Sequence, residues 1–449
     1  MPRLFGTDGV RGLANKEVTA NLALSLGDAA ARVLTKETAP GRRPHAVIAR
    51  DTRVSGAMLA QAVAAGLASA GVDVDHVDVL PTPGLAFLTS NGDVDLGVVI
   101  SASHNPMQDN GIKFFARGGF KLEDALEDEI EGLLGKTWTR PVGEGVGHIA
   151  SATAQADEEY IEHLVGSIGI SLESLKVVVD CANGATSAVA PEAFRRAGAE
   201  VVVINAQPDG YNINQHCGST HPEQLQAADV ENGADFGVAF DGDADRCLAV
   251  DASGTLVDGD QIMGLLAIAL KDEGKLANNT LVVTVMSNLG LILAMKAAGI
   301  KTVQTGVGDR YVLEAMRAGG YVLGGEQSGH IIALEHATTG DGTLTALLLA
   351  DRVVRSGKPL AELASVVTRL PQTLINVPNV DKRAAAKDEG LAAAVSAAEV
   401  RLGETGRVLL RPSGTEPLVR VMVEAATQNE ADSVAETLAD VVKERLSLS

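Results

Sequence analysis

The segment Leu96-Gly97-Val98-Val99-Ile100-Ser101-Ala102-Ser103-His104-Asn105-Pro106 joins a short apolar run to a polar loop. The run is rich in β-branched residues, which is typical of a buried strand. Asn-Pro then ends any regular structure. Ser103 is therefore expected on a loop just beyond a strand end, where open α/β sheets place their chemistry. Taken alone, such a loop is more often a solvated turn than a functional site.

The same order of elements, strand, helix, glycine and strand, occurs three times, over residues 46–80, 176–204 and 281–305. This is the order expected for a right-handed βαβ unit. Each copy leads to a further strand that ends in a polar loop, at 101–103, 241–243 and 326–330. We therefore predict three related α/β domains with mixed sheets, whose loops meet in a central cleft.

From residue 370 the pattern changes to strand, helix (384–398), strand, loop, strand and helix. The final helix has one apolar stripe, formed by Val434, Leu438, Val441, Val442 and Leu446. This segment is predicted to be a small C-terminal α+β domain. The predicted domains are 1–150 with the Ser103 loop, 151–253 with an acidic loop, 254–369 with a polar loop for a sugar, and 370–449 with a phosphate-binding loop.

The composition excludes several classes of partner. The 449-residue chain has 37 basic and 58 acidic residues and a formal net charge of −21, which argues against binding to nucleic acid or an anionic membrane. No apolar run reaches the roughly 18 residues of a membrane span, and the start lacks the apolar core of a signal peptide. The three cysteines show no metal-ligand spacing, so we expect a cytoplasmic protein.

The most specific short motif is Asp241-Gly242-Asp243-Ala244-Asp245-Arg246. Three carboxylates in one tight loop repel one another unless a cation lies between them, and oxygen ligands suit Mg²⁺, here one ion per chain. An EF-hand would need glycine at Arg246 and an acid at Ala252, so it is excluded. An acidic surface turn is the alternative, although a turn needs only one Asp. A phosphoryl oxygen on Ser103 would supply a further ligand.

The segment Arg411-Pro412-Ser413-Gly414-Thr415-Glu416-Pro417 has the composition of an anion-binding loop. Gly414 allows backbone N–H groups to approach an anion, Ser413 and Thr415 add hydroxyl donors, and Arg411 adds a guanidinium. Arg420 can join them from the next strand. A charged hairpin turn is the alternative interpretation.

Other polar segments are less specific. Glu326-Gln327-Ser328-Gly329-His330 can hold sugar hydroxyls or be a plain loop. Lys113 lies in a predicted strand and faces either the site or solvent, which is the commoner arrangement. Several cations lie in or beside Gly/Ser/Asp-rich loops: Arg11, Arg50, Arg53, Lys113, Arg246, Arg310, Arg411 and Arg420. Because screening acts beyond about 8–10 Å, a cationic pocket for a small phosphorylated ligand can exist in this acidic chain.

These motifs, in this order, resemble those of the α-D-phosphohexomutases over essentially the whole chain. The motifs that carry the resemblance are 101–106, 241–246, 325–330 and 411–417. Residues 5–12 and Gln327 resemble the branch that acts on glucosamine phosphates. The phosphomannomutase/phosphoglucomutase branch, which usually carries Met at that position, is the alternative. Met107-Gln108 departs from the aromatic residues frequent there, outside the expected chemistry.

The resemblance implies a four-domain isomerase that converts glucosamine 6-phosphate into glucosamine 1-phosphate through a sugar bisphosphate, a step toward UDP-N-acetylglucosamine. It implies a phosphate on Ser103, required for activity, and Mg²⁺ bound by Ser103, Asp241, Asp243 and Asp245. Lys113 and His104 would assist proton transfer, with Arg11 and Arg246 as further catalytic residues. The implied substrate-binding residues are Glu326, Ser328, His330, Arg411, Ser413, Gly414, Thr415 and Arg420.

Two further expectations concern partners. The resemblance implies a small phosphosugar substrate and a possible homodimer, with no nucleic acid and no membrane. A protein of a different class, a phosphosugar-binding regulator that has lost the chemistry, remains an alternative. The presence of Ser103 together with all three aspartates argues against it.

Overall fold

The computed structural model describes residues 3–6, 8–91, 93–413 and 418–448. The chain forms two compact units, Met1–Met286 with Ile300–Val366, and Ser287–Gly299 with Val367–Ser449. Among the described residues, the first unit contains three sheets and the second unit contains one. Within the described residues, no helix combines the length and the apolar character needed to cross a membrane.

The first sheet has seven strands in the order β1-β5-β4-β2-β3-β7, with β6 paired to β5. Its strands are β1 (Val10–Leu13), β2 (His45–Arg50), β3 (Asp73–Val79), β4 (Leu96–Ile100), β5 (Asp109–Ala116), β6 (Phe120–Lys121) and β7 (Ile149–Ser151). The accompanying helices are α1 (Ala20–Leu34), α2 (Gly56–Ser69), α3 (Thr82–Ser90) and α4 (Asp124–Leu133). Helices α1 and α2 can approach closely because Gly27 and Gly66 have no side chain. A Cβ at these positions would lie 2.5 and 2.2 Å, respectively, from a carbonyl oxygen of the other helix.

The second sheet has the order β12-β11-β10-β8-β9. Its strands are β8 (Lys176–Asp180), β9 (Glu200–Ile204), β10 (Phe236–Phe240), β11 (Cys247–Asp251) and β12 (Leu256–Val257). The helices of this region are α5 (Thr153–Gly166), α6 (Val189–Arg196) and α7 (Glu223–Asn232). Every residue of β10 is buried, so the loop that follows it starts inside the protein.

The third sheet has the order β14-β13-β15-β16. Its strands are β13 (Thr280–Thr284), β14 (Lys301–Thr305), β15 (Leu323–Gly325) and β16 (Ile331–Ala333). The helices are α8 (Gly259–Asp272), α9 (Leu289–Ala297), α10 (Asp309–Gly319), α11 (Gly342–Ser356) and α12 (Leu360–Ala364). Helix α9 belongs to the second unit.

The predicted repeat is present in all three sheets, which confirms the predicted α/β class with mixed sheets. The parallel pairs are β2/β3, β8/β9 and β13/β14. In each sheet the further strand, β4, β10 or β15, pairs in parallel with the first strand of its unit. An antiparallel neighbour, β5, β11 or β16, then follows. The three polar loops therefore follow corresponding strand ends.

The second unit contains the antiparallel sheet β17-β19-β18, with β17 (Gln372–Pro378), β18 (Arg407–Pro412) and β19 (Leu418–Glu424). Its C-terminal helices are α13 (Glu389–Leu402) and α14 (Gln428–Leu446). The predicted stripe of α14 is buried except at Val441, which is partly exposed. Helix α13 begins at Glu389 rather than at the predicted residue 384, because Asp388 caps it by accepting a 2.7 Å hydrogen bond from the Leu391 N–H.

The buried carboxylate of Glu424 attaches helix α9 to this sheet. It accepts hydrogen bonds from the Leu289 N–H at 2.9 Å and from Nδ2 of Asn288 at 3.1 Å. Nε of Arg407 donates to the same carboxylate at 2.6 Å and provides the opposite charge. Because these contacts hold its first turn, α9 forms part of the second unit although its chain connects two strands of the third sheet.

Candidate active site

Ser103 lies in the loop after β4 and has a left-handed backbone, with φ of 51°. The residue is 1% exposed. Its hydroxyl donates a 2.5 Å hydrogen bond to Oδ2 of Asp241, from which it is 138 residues distant in the chain. Nδ1 of His104 lies 3.3 Å from the same hydroxyl. The loop after β4 and the acidic loop after β10 therefore meet at one point.

The acidic loop brings Asp241, Asp243 and Asp245 together, all three buried, with one oxygen of each within 4.8 Å of the others. Close approach to the Ser103 loop depends on Gly242, because a Cβ there would lie 2.6 Å from the carbonyl oxygen of Ser103. The sequence motif thus folds into a compact carboxylate cluster beside the serine.

This cluster has the properties of a site for a hard divalent cation. Oδ1 of Asp243 and Oδ1 of Asp245 are buried, and neither has a hydrogen-bond partner among the described residues. Burial and the negative charges of Asp245 and Asp243 raise the pKa of Asp241 well above its usual value. A divalent cation would bind the unpartnered oxygens and remove this repulsion, so the donor set fits Mg²⁺.

Lys113 lies on β5 and is 2% exposed, so the structure places its side chain inside the site rather than in solvent. Its ammonium is 2.7 Å from Oδ2 of Asp243 and 2.9 Å from Oδ2 of Asp8. Burial alone would lower the pKa of Lys113, but these two carboxylates raise it overall. Burial would also raise the pKa of Asp243, whereas Lys113 and a hydrogen bond from Thr82 lower it. Both charges of the pair are therefore maintained.

A chain of contacts between ionisable side chains continues away from Lys113. Lys121 lies 2.7 Å from Oδ1 of Asp8 and also pairs with Asp309 at the start of α10. Nε2 of His330 lies 3.5 Å from Oδ2 of Asp309 and 3.9 Å from Oδ2 of Asp245. This series of contacts, followed from Lys113, therefore leads back to the acidic loop. We call the set the charge ring, formed by Asp243, Lys113, Asp8, Lys121, Asp309, His330 and Asp245.

Two arginines and the His104 imidazole also belong to this cluster. Arg11 pairs with Asp8. The Arg246 N–H donates to Oδ1 of Asp241 at 3.3 Å, and its Nε lies 3.8 Å from Oδ1 of Asp245. Burial, followed by the charges of Arg246 and Arg11, lowers the pKa of His104 to about 4. The imidazole of His104 is therefore neutral near pH 7.

The polar turn between β15 and β16 carries the residues predicted to bind a sugar. A Cβ on Gly329, which has φ of 91°, would lie 2.3 Å from the carbonyl oxygen of Cys247, so glycine lets this turn pack against the second sheet. Oε1 of Glu326 accepts a 3.1 Å hydrogen bond from the Gly308 N–H. Ser328 is exposed and His330 is buried. The turn thus directs His330 toward the acidic loop and leaves Ser328 accessible.

The predicted phosphate-binding residues belong to the second unit. Arg411 on β18 is directly opposite Arg420 on β19. Like charges in such positions destabilise a sheet unless an anion lies between them. Nε of Arg420 is buried without a partner in the described part of the chain, and Lys382 donates to the Ser413 carbonyl at 2.6 Å. Gly414 and Thr415, also predicted to bind phosphate, lie outside the described residues.

The structure thus brings several predicted residues of the first unit into contact around the acidic loop: Ser103, His104, Lys113, Asp241, Asp243, Asp245, Arg246 and His330. Arg11 is joined to them through Asp8. Burial lowers the pKa of Arg246, but the negative charges of Asp245, Asp241 and Glu326 raise it by more. The pKa of Arg246 is therefore raised overall. The sequence interpretation did not identify Asp8, Lys121 or Asp309, although Asp8 lies in a glycine-rich segment and Asp309 directly follows Gly306-Val307-Gly308.

Four family models match consecutive parts of the chain. Their descriptions are phosphoglucomutase/phosphomannomutase alpha/beta/alpha domain I over residues 2–139, domain II over 158–254, domain III over 258–370, and the C-terminal domain over 374–441. The matches follow the order of the three α/β sheets and the C-terminal sheet.

Similar proteins match over the whole chain. The phosphoglucosamine mutase of Bifidobacterium animalis subsp. lactis is 64% identical, and that of Thermobifida fusca is 62% identical, each over 100% of this chain and 100% of the relative. A solved phosphoglucomutase/phosphomannomutase family protein from Burkholderia thailandensis is 25% identical, with a TM-score of 0.82 over 99% of both chains. Aspergillus fumigatus N-acetylphosphoglucosamine mutase, solved with GlcNAc-6P and magnesium, has the same fold, with a TM-score of 0.71 and 20% identity over 98% of this chain and 95% of that one.

Proposed function

Because the chain belongs to the phosphoglucomutase/phosphomannomutase family and matches phosphoglucosamine mutases over its whole length, we propose that it interconverts D-glucosamine 6-phosphate and α-D-glucosamine 1-phosphate. It is an isomerase that moves a phosphoryl group within one sugar, in the synthesis of UDP-N-acetylglucosamine. The observation that carries the proposal is the 2.5 Å contact between the Ser103 hydroxyl and Asp241. It joins the serine to a carboxylate cluster suited to a cation.

In the proposed reaction Ser103 carries a phosphoryl group. The free hydroxyl of the bound sugar phosphate attacks the phosphorus, a new P–O bond to the sugar forms, and the bond to Oγ of Ser103 breaks. The sugar bisphosphate then turns over, and its other phosphate returns to Oγ by the reverse step. One Mg²⁺ per chain would offset the negative charge on the transferring group. Its ligands would be Asp241, Asp243, Asp245 and the phosphate on the serine.

Side chains around the serine supply the remaining chemistry. His104, whose Nδ1 lies 3.3 Å from the Ser103 hydroxyl, and Lys113 assist the transfer of the proton of the attacking hydroxyl and its return in the reverse step. Lys113, Arg11 and Arg246 provide positive charge beside the reacting phosphoryl group. Glu326, Ser328 and His330 hold the sugar. Arg411, Ser413, Gly414, Thr415 and Arg420 bind the phosphate that is not being transferred, and either end of the bisphosphate can occupy this position.

Several wider expectations stay predictions. They are the homodimer, the absence of nucleic-acid and membrane partners, and the domain limits 1–150, 151–253, 254–369 and 370–449. A cytoplasmic location is supported by the three cysteines, Cys181, Cys217 and Cys247, which are free and buried.

A substrate panel combined with intact-protein mass spectrometry tests the proposal. The wild-type protein is expected to carry one labile phosphate and to prefer glucosamine phosphates over glucose and mannose phosphates. Ser103→Ala should lose both the phosphate and turnover, whereas Ser90→Ala, at an exposed serine that ends α3, should keep both. Normal turnover by Ser103→Ala would refute the mechanism. A preference for mannose or glucose phosphates would instead assign the chain to the phosphomannomutase/phosphoglucomutase activity.

A further inference from the structure

We propose that Arg53 and Asn214 form a carbonyl clamp, a pair of positioning residues that hold the Ser103 loop in the conformation needed for phosphoryl transfer. The inference rests on the proposed function of Ser103 and goes beyond it, because neither residue touches the Ser103 hydroxyl. Arg53 follows β2, and Asn214 lies between β9 and α7. The clamp thus joins residues of two different sheets to the loop after β4.

The clamp consists of two donors that share the same two acceptors. One terminal nitrogen of Arg53 donates to the carbonyl oxygen of Ser103 at 3.1 Å and to that of Asn105 at 2.5 Å. Nδ2 of Asn214 donates to the same carbonyl oxygens at 2.9 and 3.2 Å. Arg53 is 0% exposed and Asn214 is 8% exposed, so water does not compete strongly for these bonds.

The N–H side of Ser103 is held by the same network. The Ser103 N–H donates to Oγ of Ser101 at 2.9 Å, and Ser101 donates to Oδ2 of Asp51 at 2.6 Å. Oδ2 of Asp51 pairs in turn with the Arg53 guanidinium. The circuit runs from the N–H of Ser103 back to its carbonyl, so both peptide groups that flank its Cα are fixed.

The clamp maintains a conformation that the chain would not prefer on its own. A left-handed backbone is unfavourable at a residue other than glycine, and Ser103 has φ of 51°. Nε of Arg53 and Oδ1 of Asn214 are also buried, and no described residue provides either with a hydrogen-bond partner. Buried polar atoms without partners are unfavourable for folding. Strain and unmet hydrogen bonds concentrated around one loop indicate a role in positioning rather than in stability.

The position of this loop determines the direction of the Ser103 hydroxyl. With φ held in the left-handed region, Oγ points at Asp241, 2.5 Å away. Displacing a reacting group by about 1 Å costs roughly 100-fold in rate, whereas binding of a remote phosphate is unaffected. Loss of the clamp should therefore lower kcat and leave KM nearly unchanged.

Asn214 provides the sharper test, because Arg53 is fully buried and its substitution risks misfolding. Asn214→Ala removes two hydrogen bonds and should lower kcat by about 30–100-fold, with KM for glucosamine 6-phosphate within about twofold. Asn214→Asp keeps the shape but turns a carboxylate toward two carbonyl oxygens, so kcat should fall at least as far. The matched control is Thr52→Val, which removes a buried 2.6 Å hydrogen bond to the Asn183 carbonyl without touching the Ser103 loop. It should keep kcat within about twofold.

Melting temperatures and intact masses are measured for all variants. The clamp is supported if Asn214→Ala loses kcat while its melting temperature stays at or above that of Thr52→Val. It is refuted if kcat is retained in Asn214→Ala, or if Thr52→Val loses as much kcat at equal stability. Failure of the proposed function is a different result, in which the wild-type protein itself neither turns over phosphosugars nor carries a serine phosphate.

Discussion

The ammonium of Lys113 and the carboxylate of Asp243 form a buried ion pair, with Nζ 2.7 Å from Oδ2. The pair joins the middle of β5 to the acidic loop after β10. Asp8 lies on the other side of the ammonium, 2.9 Å from it. Removing one member of a buried pair leaves an uncompensated charge, which is far less favourable than the pair itself.

Substitution of Lys113 should therefore affect both stability and rate. Lys113→Met leaves Asp243 and Asp8 without this cation and is expected to reduce the free energy of unfolding by about 3–5 kcal/mol. Because the lysine is also proposed to assist proton transfer, kcat should fall by about 10²–10⁴. Denaturant unfolding and steady-state kinetics, with Mg²⁺ held constant, measure the two effects.

Lys121 offers a matched comparison, because it contacts Asp8 and Asp309 in the charge ring but has no contact with Asp243 among the described residues. Lys121→Met should destabilise the protein by a similar amount. Its kcat per folded molecule should remain within about tenfold of the wild-type value. Equal losses of kcat per folded molecule in both variants would contradict a catalytic role specific to Lys113.

The acidic loop should control the metal requirement. Asp243→Asn removes one negative charge from the proposed cation site, so the Mg²⁺ concentration for half-maximal activity should rise at least tenfold, together with a lower rate. Asp180→Asn is the control, because Asp180 is also buried and ends the neighbouring strand β8. The Mg²⁺ requirement of this control should not change. An unaltered metal titration in Asp243→Asn would contradict the ligand assignment.

Arg420 should show opposite effects on binding and on stability. Arg420→Ala removes one of two arginines that are paired across β18 and β19, so the sheet should gain about 0.2–1 kcal/mol of stability. The same change weakens the proposed phosphate site and should raise KM for the phosphosugar by about 10–100-fold, with a smaller effect on kcat. A lower melting temperature with unchanged KM would identify Arg420 as a structural residue only.

Asp229 on α7 should make the protein less stable at higher pH. Both of its carboxylate oxygens are buried without a partner in the described part of the chain. Burial, followed by the charges of Asp251 and Asp235, raises its pKa to about 7. Since the pKa of an Asp in the unfolded chain is about 3.9, the folded state holds an extra proton between these two pKa values, and stability falls as pH rises across this window.

The variant Asp229→Asn should abolish this fall. Relative to the wild-type protein, its free energy of unfolding should be higher by on the order of 2–4 kcal/mol at pH 8 and nearly equal at pH 4. Urea unfolding at several pH values tests the expectation. Parallel pH profiles for the two proteins would show that Asp229 is ionised in the folded state or does not titrate differently on unfolding.

Local patterns were sufficient to predict most of the fold. Strands β8, β14 and β19 have the predicted limits, because β-branched runs bounded by glycine and polar residues carry their own periodicity. The predicted start of α13 was wrong by several residues, since the apolar pattern of the helix extends to residues before the capping residue Asp388. The division into two units, with α9 joined to the C-terminal sheet through Glu424, has no signature in the local sequence.

By itself, the sequence determined the residue types that stand at strand ends: a serine after β4, an acidic triplet after β10 and a polar turn after β15. Only the tertiary structure decided that Ser103 meets Asp241, that Lys113 points inward, and that Lys121 and Asp309 close a ring of charge. The physical reason is that strand propensity and turn chemistry act over a few neighbouring residues. The order and register of the sheets, in contrast, depend on packing between distant parts of the chain.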